Sequence, residues 1–221
     1  MWSGRLLFDF VSEAYNFALL LAVFCAVYRF KQVDTGTRYL CLFIWLGAVA
    51  ETVGWVVALK YRNNMPVYAI SSLVTYTVIC MYFNSILPGF KRYALGIWIA
   101  LAGLCLGVWI ILKYQPLHVI NSSFLFYECL VIVCMALYSM YKRLMATDLR
   151  LSLETHYWGA SILLFYKCTA LWNWGFYDFF TERHVDKVMY LNTGILLVNL
   201  LAYFSLSILL FFYPKMHRTY V

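Results

Sequence analysis

Long, unbroken apolar runs constrain this chain more than any other feature in it. They fall at about residues 8–28, 39–59, 67–87, 93–112, 117–141, 156–180 and 188–213, with short polar segments between them. A helix rises about 1.5 Å per residue, so about 20 residues cross a hydrocarbon layer about 30 Å thick, and each run reaches that length. Lipid offers no partner to a backbone N–H or C=O, which leaves helices and closed barrels as the only spanning structures. These runs do not alternate apolar with polar, so they predict helices. The expected fold class is an all-α integral membrane protein, one domain over 1–221 built as a bundle of seven transmembrane helices. Composition agrees: 64% of the 221 residues are hydrophobic and 12% are charged, against about 45–50% and about 25% in soluble domains.

Proline marks the ends of the runs. Pro66, Pro88, Pro116 and Pro214 sit at or just beyond them, where a missing N–H and a fixed φ cost little. The third and fourth runs are joined by P-G-F-K-R, read as a tight turn. Short connections make consecutive helices antiparallel neighbours, and Lys and Arg then set the orientation. Arg29, Lys31, Arg38, Lys91, Arg92, Lys142, Arg143, Arg150, Lys215 and Arg218 fall on one side. They outnumber Arg5, Lys60, Arg62, Lys113, Arg183 and Lys187 on the other. The larger set belongs in the cytoplasm. That puts the N-terminus outside, the C-terminus inside, and a multi-pass chain in the inner (cytoplasmic) membrane.

The net charge of +7 does not point to nucleic acid, because the basic residues flank apolar runs and no basic run exceeds two residues. The partner that composition names is the lipid bilayer. Cys25, Cys41, Cys80, Cys105, Cys129, Cys134 and Cys168 all lie inside apolar runs with no C-x-x-C pair, and read as small membrane-core residues rather than staples. The first run is expected to be retained, not cleaved as a signal peptide, since Arg29 and Lys31 follow it and only Arg5 precedes it. Phe24 before Cys25 also argues against a lipoprotein signal.

Three ionisable residues stand deep within the runs: Glu51 in the second, Glu128 in the fifth and Lys167 in the sixth. Glu51 and Lys167 each stand about twelve residues, or about 18 Å, from the cytoplasmic start of their runs. Glu128 stands about eleven residues from the outer start of its own, near the middle of the layer. A charge at that depth costs at least about 2.5–3.5 kcal/mol on insertion scales. The expectation is therefore an intramembrane polar cluster in which Lys167 pairs with at least one carboxylate. Polar residues seven apart share a helix face with these groups: Asn121 with Glu128, Lys167 with Trp174 and then Asp178, and Asn192 with Asn199. Ser71, Ser72, Thr75 and Tyr76 form a patch on the third run, and Asp9 and Glu13 add carboxylates to the first. Such stripes are expected to face inward. Ser72, Thr75, Tyr76, Asn121, Asn173, Asn192 and Asn199 are the candidates for lining a polar cavity. The competing reading is packing, since Asn, Ser and Thr in membrane helices often join neighbours through hydrogen bonds worth about 0.6 kcal/mol each. For Trp172 and Trp174 an interfacial belt is the simpler reading.

Several chemistries find no support. The seventh run has no lysine for a retinal Schiff base. His118 and His156 fall at opposite membrane faces, too far apart for one haem iron, while His184 and His217 lie in a loop and the tail. No H-E-x-x-H, G-x-S-x-G or paired-aspartate motif is present for hydrolysis. No catalytic set, metal set or cofactor is named by the residues.

Several local patterns stand out: E-x-x-G (Glu51, Gly54), the YAISSLVTY stretch from Tyr68 to Tyr76, and a phenylalanine ahead of Y-E (Phe124 or Phe126, Tyr127, Glu128). They continue in W-G-x-x-x-L-L-F-Y (Trp158 to Tyr166) with Asn192 and Asn199. On these residues the chain resembles a family of small seven-helix membrane proteins of Bacteroidota-type bacteria. Members of that family often carry a carboxylate just before the tyrosine of the third helix, where this chain has Thr75. The resemblance implies seven spans and no particular activity, substrate or cofactor.

Three functional readings follow. One is a ligand-sensing or signalling module with a polar intramembrane cavity, acting on a membrane or cytoplasmic protein partner. Another is a small, proton-coupled transporter that uses Glu51, Glu128 and Lys167 as its relay; against it, mid-span Gly or Pro interruptions of the broken-helix kind are missing. The last is an accessory subunit of a larger membrane complex. An enzyme is the weakest reading.

Overall fold

The computed structural model describes residues 2–114, 121–145, 154–183 and 188–217. His118, Arg150, His184, Lys187, Arg218 and residues 117–120 of the expected fifth span lie outside them, as do the side chains of Arg5, Asp178, Arg183 and Lys215. The described residues form eight helices: α1 (Trp2–Arg29), α2 (Thr35–Tyr61), α3 (Met65–Ile86), α4 (Pro88–Tyr93), α5 (Leu95–Lys113), α6 (Ser122–Leu144), α7 (Thr155–Arg183) and α8 (Val188–His217). Six stretches, Leu6–Arg29, Thr35–Tyr61, Met65–Ile86, Leu95–Lys113, Ser122–Leu144 and Met189–Tyr213, are long and apolar enough to cross a membrane by length and composition. The expected sixth span is helical too, as α7, but it is not among those six. Its Lys167 and Asn173 and its many Trp and Tyr residues lower its hydropathy.

Local chemistry explains the helix ends. Asp34 caps α2 by accepting from the N–H groups of Gly36 (2.8 Å) and Thr37 (3.3 Å) and from the Thr37 hydroxyl (2.6 Å). Arg62 ends α2 in the left-handed region at φ 57°, and residues 62–64 turn the chain back into α3. The P-G-F-K-R segment, expected as a tight turn, is instead the six-residue helix α4. Pro88 opens it, where a missing N–H costs no helical bond. Ala94, at φ 50°, closes it and starts α5 in a new direction. A side chain in that left-handed region is held at a cost of about 1 kcal/mol.

The chain divides into two compact units. One, here the central unit, is Phe30–Glu128; the other, the terminal unit, joins Met1–Arg29 to Cys129–Val221. The boundaries fall between α1 and α2 and within α6. In the central unit α3 packs against α2 on one side and α5 on the other, with α4 bridging α3 and α5. In the terminal unit α8 packs against both α1 and α7, and Tyr15 of α1 meets Tyr203 of α8 with ring centroids 5.9 Å apart.

The α3–α5 contact rests on a row of small residues. Gly96, Ala100, Gly103 and Gly107 of α5 are all buried, at spacings that keep one helix face. The Tyr76 ring lies against Gly103, Leu73 and Phe124 against Gly107, and Asn84 against Gly96. Tyr76 donates its hydroxyl hydrogen to the Ile99 carbonyl (2.9 Å), and Asn84 Oδ1 accepts from the Gly96 N–H (3.1 Å). Two polar side chains of α3 are thereby satisfied by α5 backbone, as an interior without water requires.

The exposed surface of the spans is apolar. Phe10, Phe17 and Phe24 of α1, Trp55 and Leu59 of α2, Trp98 and Leu112 of α5, and Phe204 and Phe211 of α8 are all exposed. A water-soluble protein does not carry large apolar side chains along the length of every helix; a hydrocarbon environment suits them.

Candidate functional site

The E-x-x-G motif of α2 places Glu51 and Gly54 on one face, three residues apart. Gly54 is buried and Glu51 half-buried. The ring of Tyr68, from α3, fills the space over Gly54: a Cβ at that glycine would lie 3.1 Å from the phenol oxygen. From there Tyr68 donates its hydroxyl hydrogen to Glu51 Oε2 at 3.0 Å. The glycine makes room for a donor and the donor orients the carboxylate, all within the α2–α3 pair. Tyr68 is the functional candidate that depth counting along the sequence does not find. The signal was available in the E-x-x-G spacing, since a glycine one turn from an intramembrane carboxylate leaves room for something to reach it.

Glu128, also in the central unit, is 1% exposed. It shares the buried face of α6 with Asn121, Phe124, Ile132 and Ser139, as the seven-residue spacing of Asn121 and Glu128 predicts. Asn121 stands immediately before α6. Its Oδ1 accepts from the Phe124 N–H at 3.2 Å, so it is the helix cap, and its buried Nδ2 has no hydrogen-bond partner among the described residues. Around it Tyr76 stands edge-on to Phe124 at 5.9 Å and near Tyr127 at 6.2 Å.

Lys167 belongs to the terminal unit and is 5% exposed, with its Nζ 5.0 Å from the centroid of the adjacent Tyr166 ring. Lys167 shares the buried side of α7 with Ala160 and Leu163, while the exposed side carries Trp158, Phe165 and Trp172. The helix thus has its charge inside and its apolar residues outside, the reverse of an amphipathic helix in water. At the start of α7, Glu154 accepts from the Tyr157 N–H as a cap and forms an ion pair with Arg143 at the end of α6.

The remaining candidates divide. Tyr76 and Asn121 are buried; Ser72, Thr75, Asn173 and Asn199 are half-buried; Asn192 is exposed. Ser72 Oγ donates to the Ala69 carbonyl at 2.9 Å within its own helix. Thr77, Ser161, Thr193 and Ser207 likewise donate to the carbonyl four residues back, a bond that spares a hydroxyl any need for a cavity. Asp9 and Glu13 of α1 are exposed rather than turned inward. Among the described residues no group of His, Cys, Asp and Glu could hold a metal ion. None of the seven cysteines is in a disulfide, and four of them are buried.

No family model, curated protein or solved structure matches this chain. What sequence and structure together carry is a helical protein of the multi-pass membrane type, with a bilayer as its environment.

Proposed function

We propose that this chain crosses the inner membrane seven times, N-terminus outside and C-terminus in the cytoplasm, and works as a ligand-sensing module. The observation that carries the sensing reading is Glu51, a carboxylate inside a spanning helix, held by the Tyr68 hydroxyl at 3.0 Å. An ionisable group at membrane depth is a functional site by default. This one is oriented, half-buried, and set between two helices that its protonation or a bound ligand can bias. The ligand class that suits it carries an amine or another hydrogen-bond donor, or is the proton itself.

The seventh span in this reading is α7. At 29 residues it is about 43 Å long and exceeds the hydrocarbon layer. Its one mid-span charge, Lys167, is withdrawn from the surface, so lipid meets Trp158, Phe165 and Trp172. A proton-coupled carrier is the second reading, favoured by the burial of Glu128 and Lys167 within spans.

Reconstitution into liposomes with an entrapped pH-sensitive dye separates the two. The sensing reading expects a pH jump to change tryptophan fluorescence in the wild type, with the change removed by Glu51→Gln and reduced by Tyr68→Phe, and no proton flux. Flux that Glu128→Gln or Lys167→Met abolishes would make the protein a carrier. A silent wild type in both assays would leave the accessory-subunit reading standing. For topology, alkaline phosphatase fused after Val221 is expected to be inactive, and an active fusion would overturn the orientation.

A further inference from the structure

The central unit gathers net positive charge at one end. Because α2 and α3 run antiparallel and α3 continues through α4 into α5, the start of α2, the end of α3, all of α4 and the start of α5 share that end. Lys31, Arg38, Lys91 and Arg92 all lie there, and all four are exposed. The sole acidic residue in residues 30–38 and 86–95 is Asp34, whose carboxylate caps α2 on Gly36 and Thr37. Four cations against one carboxylate leave these segments with a net charge of +3.

The element that displays them is built for an interface. Leu87, just before α4, is 3% exposed and Phe90 is half-buried, whereas Lys91, Arg92 and Tyr93 point out, Tyr93 at 62% exposure. The Arg92 guanidinium lies 5.4 Å from the centroid of the Tyr93 ring. At the start of α2, Arg38 lies 5.9 Å from the Phe30 ring. Cations beside aromatic rings, at the ends of apolar spans, sit at the level where headgroup phosphates begin.

We propose that this end of the central unit is a docking surface for anionic phospholipid headgroups, with Lys91 and Arg92 of α4 as the principal phosphate contacts and Lys31 and Arg38 contributing. The bilayer supplies such headgroups at the right depth, and α4 lies between two spans, so it is held at the membrane surface without further anchoring. Arginine adds paired donors to a phosphate that lysine meets as a point charge.

The test titrates phosphatidylglycerol into detergent micelles holding the full chain and follows thermal unfolding. The wild type is expected to be stabilised by phosphatidylglycerol and not by phosphatidylcholine. The titration midpoint should rise about fivefold for Lys91→Gln or Arg92→Gln alone and about 25-fold for the pair, and raised salt should weaken the effect in the wild type. Lys60→Gln with Arg62→Gln, at the opposite end of the same unit, keeps the wild-type midpoint. An unchanged midpoint in the Lys91/Arg92 pair overturns the proposal, as does an equal loss in the Lys60/Arg62 pair. So does equal stabilisation by phosphatidylcholine or by inorganic phosphate. Stabilisation by soluble polyglutamate with none by phosphatidylglycerol would assign the face to an acidic protein segment and overturn it too.

Discussion

Gly103→Ala is expected to lower the unfolding free energy in detergent by about 1–3 kcal/mol, the usual cost of forcing extra volume into a packed interior. A Cβ at residue 103 would lie 2.2 Å from Tyr76 Cε1 and 2.6 Å from both Cζ and the hydroxyl oxygen, and atoms essentially never come that close. The ring has little freedom to retreat. It is fully buried, its hydroxyl is tied to the Ile99 carbonyl at 2.9 Å, and Phe124 and Tyr127 stand on its other sides. Gly96→Ala should cost as much, because its Cβ would meet the Cys80 backbone oxygen at 2.7 Å and backbone cannot swing aside. The control is Gly194→Ala in α8, where a Cβ meets nothing within 4 Å among the described residues. That change removes a weak helix former and should be neutral or stabilising by up to about 1 kcal/mol. Combining Gly103→Ala with Tyr76→Leu should cost less than the two changes summed, since the clash they share is counted once. Thermal unfolding of these variants, with Tyr76→Leu alone as the fifth, decides it. If Gly103→Ala melts with Gly194→Ala, the α3–α5 contact is not set by these glycines.

Lipid ties sequence to structure more tightly than water does, which is why hydropathy alone locates most of these helices. The seven-residue spacing of Asn121 and Glu128 predicts a common buried face, and both are buried. The same logic misses at Asp9 and Glu13, which are exposed. They lie near the end of a long helix, where water is close and a carboxylate has no need to turn inward. The P-G-F-K-R segment reads as a turn because proline and glycine dominate it, yet five residues beginning with proline also start a helix well, and α4 forms. Depth counting follows backbone positions, so it overlooks Tyr68, whose side chain carries its hydroxyl well away from its own Cα to reach Glu51. The row Gly96, Ala100, Gly103 and Gly107 passes unnoticed inside an apolar run, because its information lies in size rather than polarity. What lay furthest from reach is the role of Ser72, Tyr76 and Asn121. Their composition fits a cavity, but each makes a hydrogen bond to backbone within or between helices.

Lys167→Met is expected to destabilise the protein although it adds apolar character to a spanning helix. Hydropathy by itself predicts the reverse, since a methionine enters hydrocarbon more readily than a lysine. Lys167 is, however, 5% exposed, so lipid gains nothing from the change. A buried ammonium exists in a low-dielectric interior only where negative charge or oriented oxygen compensates it. Taking it away strands whatever compensates it, and stranded buried charges typically cost about 3–5 kcal/mol. Depth along the sequence nominates Glu51 and Glu128 for that role. Glu128 is the more demanding of the two, being 1% exposed where Glu51 is half-buried and bonded to Tyr68. A cycle of Lys167→Met with Glu128→Gln, and a second with Glu51→Gln, measures the coupling directly. If one carboxylate is the compensating charge, its double variant recovers much of the stability lost by Lys167→Met, and the other double variant does not. Additivity within about 0.5 kcal/mol in both cycles would remove both carboxylates as partners. A neutral Lys167→Met would go further, because a lysine whose charge can be deleted from the interior at no cost is not held there by a charge at all.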